Sequence, residues 1–278
     1  MGRLDGRVAL ITGAARGQGR AIAHRLAGEG ADIVAVDICD QLPTVTTYRL
    51  ARRADLEETA RLVCSAGRRV HADVADVRDF DRLREVVDAG VAEFGRLDIA
   101  VANAGIASLA FSTCELALDE WREMLEVNLT GVFHTAKAAV PHIEAGGRGG
   151  SVVLTSSTAG LKAYGGIGHY VAAKHGVVGL MRSLALELAP KRIRVNAINP
   201  SNVDTPMLDQ EMLWRLFAPD KEHASKADFA AVSTAANAIP VPWLDVEDIA
   251  NAVAFLVCDE ARLITGVALP LDAGSLLK

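Results

Sequence analysis

Tyr170 and Lys174 stand four residues apart in a segment with helical patterning, HYVAAKHGVVGL. That spacing puts both side chains on one helix face, roughly 6 Å apart along the axis. A free tyrosine, with a pKa of about 10, is a poor base at neutral pH. An ammonium about 4 Å away favours the phenolate by ~4 kcal/mol at an effective dielectric of 20. That corresponds to up to ~3 pK units, enough to bring the phenol into working range for proton transfer. Tyr and Lys recur at this spacing by chance, so the pair needs company. Thr155-Ser156-Ser157 closes a short apolar run, SVVLTS, and the C-terminal ends of strands are where open α/β sheets place their sites. A serine hydroxyl there can hydrogen-bond a substrate oxygen while Tyr170 moves its proton. Strand-end serines are more often turn formers, so this reading of Ser157 depends on its neighbours.

A second group of residues suits a dinucleotide. Thr12-Gly13-Ala14-Ala15-Arg16-Gly17-Gln18-Gly19 lies between an apolar run, RVALIT, and a helical segment. Glycines there let the backbone turn sharply and approach a pyrophosphate, which sits against the positive end of the following helix. The spacing is G-x-x-x-G-x-G, and alone it is a weak signal. Asp37 sharpens it, 18 residues beyond Gly19 at the end of the second strand, where a carboxylate accepts hydrogen bonds from both adenosine ribose hydroxyls. A 2′-phosphate would meet a like charge, which favours NAD over NADP. Arg16 points mildly the other way. Helix capping is the plainer alternative for Asp37.

The remaining elements form a frame for these groups. Strands are expected at 7–12, 32–36, 69–73, 97–102, 151–156, 193–198 and 266–271, and helices at 19–30, 56–66, 80–94, 118–143, 168–188 and 245–257. Such alternation predicts one α/β domain spanning 1–278, a doubly wound, Rossmann-type parallel sheet of about seven strands with helices on both faces. Two excursions interrupt it. Residues 38–56 contain Pro43, three threonines and no clear periodicity, and read as an inserted loop. Residues 205–244 carry Met207, Met212, Leu213, Trp214 and Phe217, then a polar segment, and should cover the substrate or pack against another subunit.

Composition narrows the class. Half the residues are apolar, and the net charge of -6 is spread along the chain, which argues against a nucleic-acid surface. Cys39, Cys64, Cys114 and Cys258 are widely separated, as for half-buried free thiols in a reducing cytosol. Residues 1–5 lack a signal-peptide core, and no apolar run has the ~18 residues of a membrane span. A soluble cytoplasmic protein is expected. The histidines share no ligand spacing with Cys or carboxylates, so no metal site is expected. His169 and His175 flank the Tyr–Lys segment and read as plain neighbours.

With these motifs in order, the sequence resembles the short-chain dehydrogenase/reductase superfamily. The resemblance rests on Thr12 to Gly19, Asp73-Val74, Asn103-Ala104-Gly105, Asn128 within VNLTG, Ser157, Tyr170 and Lys174, and it spans residues 7–272. The gap of thirteen from Ser157 to Tyr170 matches the family and selects Ser157 over Ser156. The resemblance implies an NAD-dependent oxidoreductase acting on CH–OH groups. Tyr170 would be the general acid/base, and Ser157 would polarise the substrate oxygen. Lys174 would lower the tyrosine pKa and bind the nicotinamide ribose, and Asn128 would hold a proton-relaying water. Asp73 and Val74 would lie beside the adenine. Pro200, Val203 and Thr205 would grip the carboxamide, although Ser201 stands where the family has glycine.

Further stretches (AVDIC at 35–39, the insertion, KAAVPH at 137–142, GGRGG at 146–150 and VDTPM at 203–207) resemble carveol-dehydrogenase-like enzymes associated with the redox cofactor mycofactocin. That subgroup implies an apolar cyclic or terpenoid alcohol, NAD retained between turnovers beneath the insertion, and an external redox carrier. The family also implies a homotetramer, for which Ala172, Ala173, Gly176 and Gly179 offer a small-residue helix surface. The alternatives are an NADP-dependent ketoacyl-type reductase, against which Asp37 speaks, and a catalytically silent nucleotide-sensing protein, against which the intact Tyr–Lys set speaks.

Overall fold

The computed structural model describes residues 2–108, 112–218, 220, 221 and 223–278; Met1, in the segment read for a signal peptide, lies outside them. Seven strands are present: Val8–Thr12 (β1), Asp32–Asp37 (β2), Val70–Val74 (β3), Ile99–Ala102 (β4), Gly150–Thr155 (β5), Ile193–Pro200 (β6) and Ala268–Leu271 (β7). All pair in parallel, in the order β3-β2-β1-β4-β5-β6-β7. The order reverses between β1 and β4, which opens a crevice at their carboxyl ends.

The α-helices among the described residues are Gly17–Gly28 (α1), Arg53–Ser65 (α2), Phe80–Phe94 (α3), Leu118–Leu125 (α4), Gly131–Ala145 (α5), Gly168–Leu188 (α6), Glu211–Phe217 (α7), Lys226–Ala236 (α8) and Val246–Val257 (α9). Successive strand side chains feed opposite faces. Val8, Leu10, Val34, Val36, Val152 and Leu154 pack with α3, α5 and α6. Ala9, Ile11, Ile33, Ala35, Val101 and Val153 pack with α1, α2 and α9. None of these helices is long and apolar enough to cross a membrane. Among the described residues no cluster of three or more His, Cys, Asp or Glu is placed to hold a metal. Of the cysteines, Cys39 is half-buried and Cys258 buried, whereas Cys64 and Cys114 are exposed rather than packed.

Two expectations need correction. The helix read at 118–143 is not continuous: a wide π-type turn, Glu126–Thr130, separates α4 from α5. Extra backbone inserted there rotates Asn128 inward, and Gly131 begins α5 where a Cβ would lie 2.5 Å from Val77 Cγ2. The insertion ends at residue 52, because Arg53 already opens α2. Beyond these corrections, Lys226–Ala236 of the polar segment forms α8, a helix the periodicity did not mark. Ser225 and Asp228 exchange side-chain and backbone hydrogen bonds (3.2 and 3.0 Å) that cap α8.

Residues 38–52 form neither helix nor strand, yet Leu42, Val45, Tyr48 and Leu50 are buried in the core. The segment is a strap rather than an ornamental loop. Gln41 braces it internally, accepting from Leu50 N–H at 2.9 Å and donating to the Tyr48 carbonyl at 3.3 Å. Thr44 binds Glu123 of α4, and Thr47 binds Gln210 just before α7. The Tyr48 hydroxyl accepts the Ala107 N–H at 3.1 Å, on the loop after β4.

The glycine loop is equally constrained. Gly13 adopts φ +67° and Gly17 φ +53°, and a Cβ on Gly19 would lie 1.9 Å from the Gly13 carbonyl oxygen. Gly19→Ala should therefore cost about 1–3 kcal/mol through overpacking, a fall of roughly 2–4 °C in Tm per kcal/mol for a chain of this size. A scanning melt that shows no loss would refute this close approach of α1 to the loop.

Candidate active site

The site grows from the carboxyl ends of β1, β4 and β5. Thr12 ends β1, and its hydroxyl accepts the N–H groups of Asn103 (3.2 Å) and Ala104 (3.3 Å), which follow β4. The Asn103 amide donates to the Thr12 and Gly13 carbonyls at 3.1 and 3.3 Å. Asn103 and Ala104 thus tie two strand ends together and fix the glycine loop. Gly13, Arg16, Gly17 and Gln18 line a narrow cavity of about 150 Å³ together with Asp37, Ala104 and Gly105. Gly19 does not line it and serves the close packing described above.

Asp37 ends β2 and is 8% exposed. Its oxygens accept Ala15 N–H at 3.0 Å and Cys39 N–H at 3.2 Å. Burial pushes its pKa up, and those two bonds and the nearby Arg16 guanidinium partly offset the shift. The strap closes the cavity through Leu42, Tyr48 and Leu50. Burial likewise drives the Tyr48 phenol up to about 12. Asp73 and Val74 are not among the lining residues. The Asp73 carboxylate turns to Arg82 at 2.6 Å, and Ala75, Asp76 and Val77 border the cavity instead.

Gln18, Asn103, Gly105, Ile106, Thr205 and Met207 are shared with a second cavity of about 740 Å³. Ser157, Tyr170 and Lys174 line this larger space, as do Pro200, Val203 and Thr205. Met207, Leu213 and Phe217 supply apolar wall, whereas Met212 and Trp214 do not border it. The Trp214 indole instead donates to the Leu208 carbonyl at 3.1 Å. Ser156 and Ser157 have separate tasks. Ser156 donates to the Lys174 carbonyl at 2.9 Å, which anchors α6 to β5. Ser157 Oγ accepts Ala159 N–H at 3.2 Å and donates to the Pro200 carbonyl at 3.3 Å.

Lys174 is 3% exposed, and its ammonium donates to the Thr155 carbonyl at 2.9 Å. It sits 5.5 Å from the centroid of the Tyr170 ring. Burial brings Lys174 down to about 8 and pushes Tyr170 up, although a Ser157 hydrogen bond pulls the phenol back. Burial thus acts on Tyr170 against the pull expected from the ammonium.

Asn128 is fully buried in the π-type turn. Its Oδ1 accepts Ile106 N–H, and its Nδ2 donates to Ile106 O, both at 2.8 Å. The side chain read as a water holder is occupied with shaping the loop after β4. Ser108 and Tyr48, both bordering the cavities, carry no sequence signal that spacing or periodicity would reveal.

A family model described as enoyl-(acyl carrier protein) reductase matches residues 13–275. The chain belongs to the short-chain dehydrogenase/reductase family. This short-chain dehydrogenase/reductase is 55% identical to (-)-trans-carveol dehydrogenase of Rhodococcus erythropolis, with both chains covered in full. It superposes on a crystal structure of carveol dehydrogenase from Mycobacterium avium in complex with NAD with a TM-score of 0.97, at 54% identity and full coverage of both chains. A short-chain dehydrogenase from Mycobacterium paratuberculosis bound to NAD gives a TM-score of 0.91 at 45% identity, again over both full chains.

The depressed Lys174 value has a measurable consequence for this short-chain dehydrogenase/reductase. Between about 8, the folded value, and 10.5, the ordinary one, the unfolded chain binds more protons, so stability rises with pH. Lys174→Met removes that dependence. Its Tm relative to the parent should be more favourable at pH 7 than at pH 9.5, by a difference of about 2 kcal/mol. A difference independent of pH would contradict the buried ammonium.

Proposed function

We propose that this protein is an NAD-dependent dehydrogenase that interconverts a secondary alcohol and its ketone, with an apolar cyclic or terpenoid-type substrate. The observation that carries the reading is the adjacency of the two cavities, which share Gly105 and Thr205 as lining: Ser157, Tyr170 and Lys174 face one and Asp37 the other. The NAD complexes of its relatives and their carveol dehydrogenase names support both cofactor and substrate class. A spacing of four between Tyr170 and Lys174 favours alcohol–ketone chemistry over enoyl reduction, where the pair stands further apart.

The residues fit the cofactor. Gly13 leaves no room for a Cβ, which would lie 2.8 Å from Ala104 Cα, so the backbone itself can meet a pyrophosphate. Gln18 Oε1, Thr155 Oγ1 and Ser201 Oγ line the larger cavity, buried and without partners of their own. Asp37 would accept the adenosine ribose hydroxyls, and Lys174 would hold the nicotinamide ribose. Pro200, Val203 and Thr205 would border the carboxamide. Bound NAD⁺ supplies the hydride acceptor and a positive charge that favours the phenolate. Tyr170 then takes the hydroxyl proton of the alcohol while Ser157 hydrogen-bonds the same oxygen, and returns a proton when a ketone is reduced. Asn128 positions the Gly105–Ile106 backbone beside them.

The strap supports a second part of the reading, that NAD stays bound between turnovers and an external carrier such as mycofactocin removes the electrons. Its ties to Glu123, Ala107 and Gln210 must open before the adenosine can leave. A cytoplasmic homotetramer is proposed with it. Ala172 and Gly179 present a small exposed surface on α6, while Ala173 is buried and Gly176 faces Leu129 within the chain.

Tyr170→Phe should lower turnover of cyclic secondary alcohols by about 10²–10⁴-fold while NAD binding persists; an active variant would refute the assigned role. Denaturing freshly purified protein should release close to one NAD per chain. Protein free of NAD that cycles many equivalents of added NAD would refute retention and leave the dehydrogenase reading intact.

A further inference from the structure

One buried polar pair borders the substrate cavity without a part in the proposed chemistry. Ser108, on the loop after β4, lines the cavity, and its hydroxyl lies 2.8 Å from Nε2 of His169. His169 is fully buried in the first turn of α6, beside Tyr170, and its Nδ1 has no hydrogen-bond partner. Burial pushes the imidazole below its ordinary value, partly offset by Glu120 and by the Ile167 backbone, and the neutral ring carries a single N–H. An unpaired buried donor is rarer than an unpaired acceptor. We assign the proton to Nε2, donated to Ser108 Oγ, which leaves the Nδ1 lone pair toward the Ile167 end of the helix. The hydroxyl hydrogen of Ser108 is then free for the cavity.

Several polar side chains of that cavity are already engaged within the chain. Gln210 is bound to Thr47 and to the Met207 carbonyl, and Asn237 donates to the Val241 carbonyl at 2.7 Å. Ser233 donates to the Pro242 carbonyl, and Lys278 donates to the carbonyls of Ala235 and Asn237. Ser108 is also distinct from the Ser157 and Tyr170 hydroxyls that address the reacting oxygen.

We propose that Ser108 is a specificity-determining residue whose hydroxyl, oriented by His169, donates a hydrogen bond to a second oxygen on the substrate. The substrate class it selects is a cyclic secondary alcohol that bears a further hydroxyl, ketone or ether oxygen. A substrate lacking that oxygen leaves the hydroxyl buried without a partner, and this penalises its binding. His169 is a positioning residue here, acting only through Ser108. The proposal rests on the dehydrogenase reading above.

The test compares kcat/KM for cyclohexanol with kcat/KM for cyclohexane-1,3-diol and cyclohexane-1,4-diol, in NAD-loaded protein with an artificial electron acceptor. The parent protein should prefer at least one diol. In Ser108→Ala the diol should lose about 2- to 12-fold more than cyclohexanol loses, the range of one neutral hydrogen bond. His169→Leu should lose the same preference. His169→Gln, which keeps a donor on the side chain, should restore part of it, a pattern that loss of packing alone does not give. No preference for any diol, or a preference that survives Ser108→Ala, overturns the proposal while the dehydrogenase reading stands. Absence of turnover with all three alcohols overturns both.

Discussion

The Lys174 ammonium is held at the carboxyl edge of the parallel sheet, almost sealed from water, with a hydrogen bond to the Thr155 carbonyl. Taking a charge out of water is costly unless it is well paired, and the fall of this lysine to about 8 expresses that cost. The ammonium nevertheless remains mostly protonated at pH 7. Its position depends on the whole frame. β5 ends at Thr155, Ser156 pins the Lys174 carbonyl, and the first turns of α6 bring Tyr170 and Lys174 to one cavity. The same enclosure raises the phenol. Enclosure therefore shifts both groups toward their neutral forms, and in the proposed reaction the charge that would tip the phenol arrives with the dinucleotide.

The two covers of the site are linked. The strap over the Asp37 cavity reaches Gln210, at the base of the segment that walls the substrate cavity, through Thr47. It also holds the loop after β4 through Tyr48 and Ala107, next to Ser108. In the proposed cycle, movement of the substrate wall and loosening of the cofactor strap are therefore mechanically connected. An enzyme that keeps its nucleotide needs the first motion without the second. The buried Leu42, Val45 and Tyr48 give the strap its own apolar footing beside that tie.

Much of this frame was legible in the sequence because the elements are strongly periodic. The helix expected at 168–188 matches α6, and the apolar runs at 7–12 and 193–198 fall within a residue or two of β1 and β6. The Tyr–Lys spacing, the glycine loop and Asp37 could be placed because each sits at a strand end or on one helix face. Other features depend on contacts distant in sequence. The strap has no periodicity, since Thr44 and Thr47 are fixed by Glu123 and Gln210. The turn at Asn128 follows from its bonds to Ile106, 22 residues away. The α8 helix did carry a readable signal, the Ser225 to Asp228 capping box, within a polar stretch read as irregular. Spacing reveals an ammonium near Tyr170 but not how burial at the cavity acts on the phenol.

The central claim is that a half-buried phenol beside Lys174 becomes acidic when the dinucleotide cleft is filled. Ultraviolet difference titration of tyrosinate, with and without saturating NAD⁺, tests it directly, with Tyr170→Phe as the reference among the three tyrosines of the chain. The account predicts that NAD⁺ brings one tyrosine well below its ordinary value of about 10, and that the transition vanishes in Tyr170→Phe. Identical titration curves with and without NAD⁺ would contradict it.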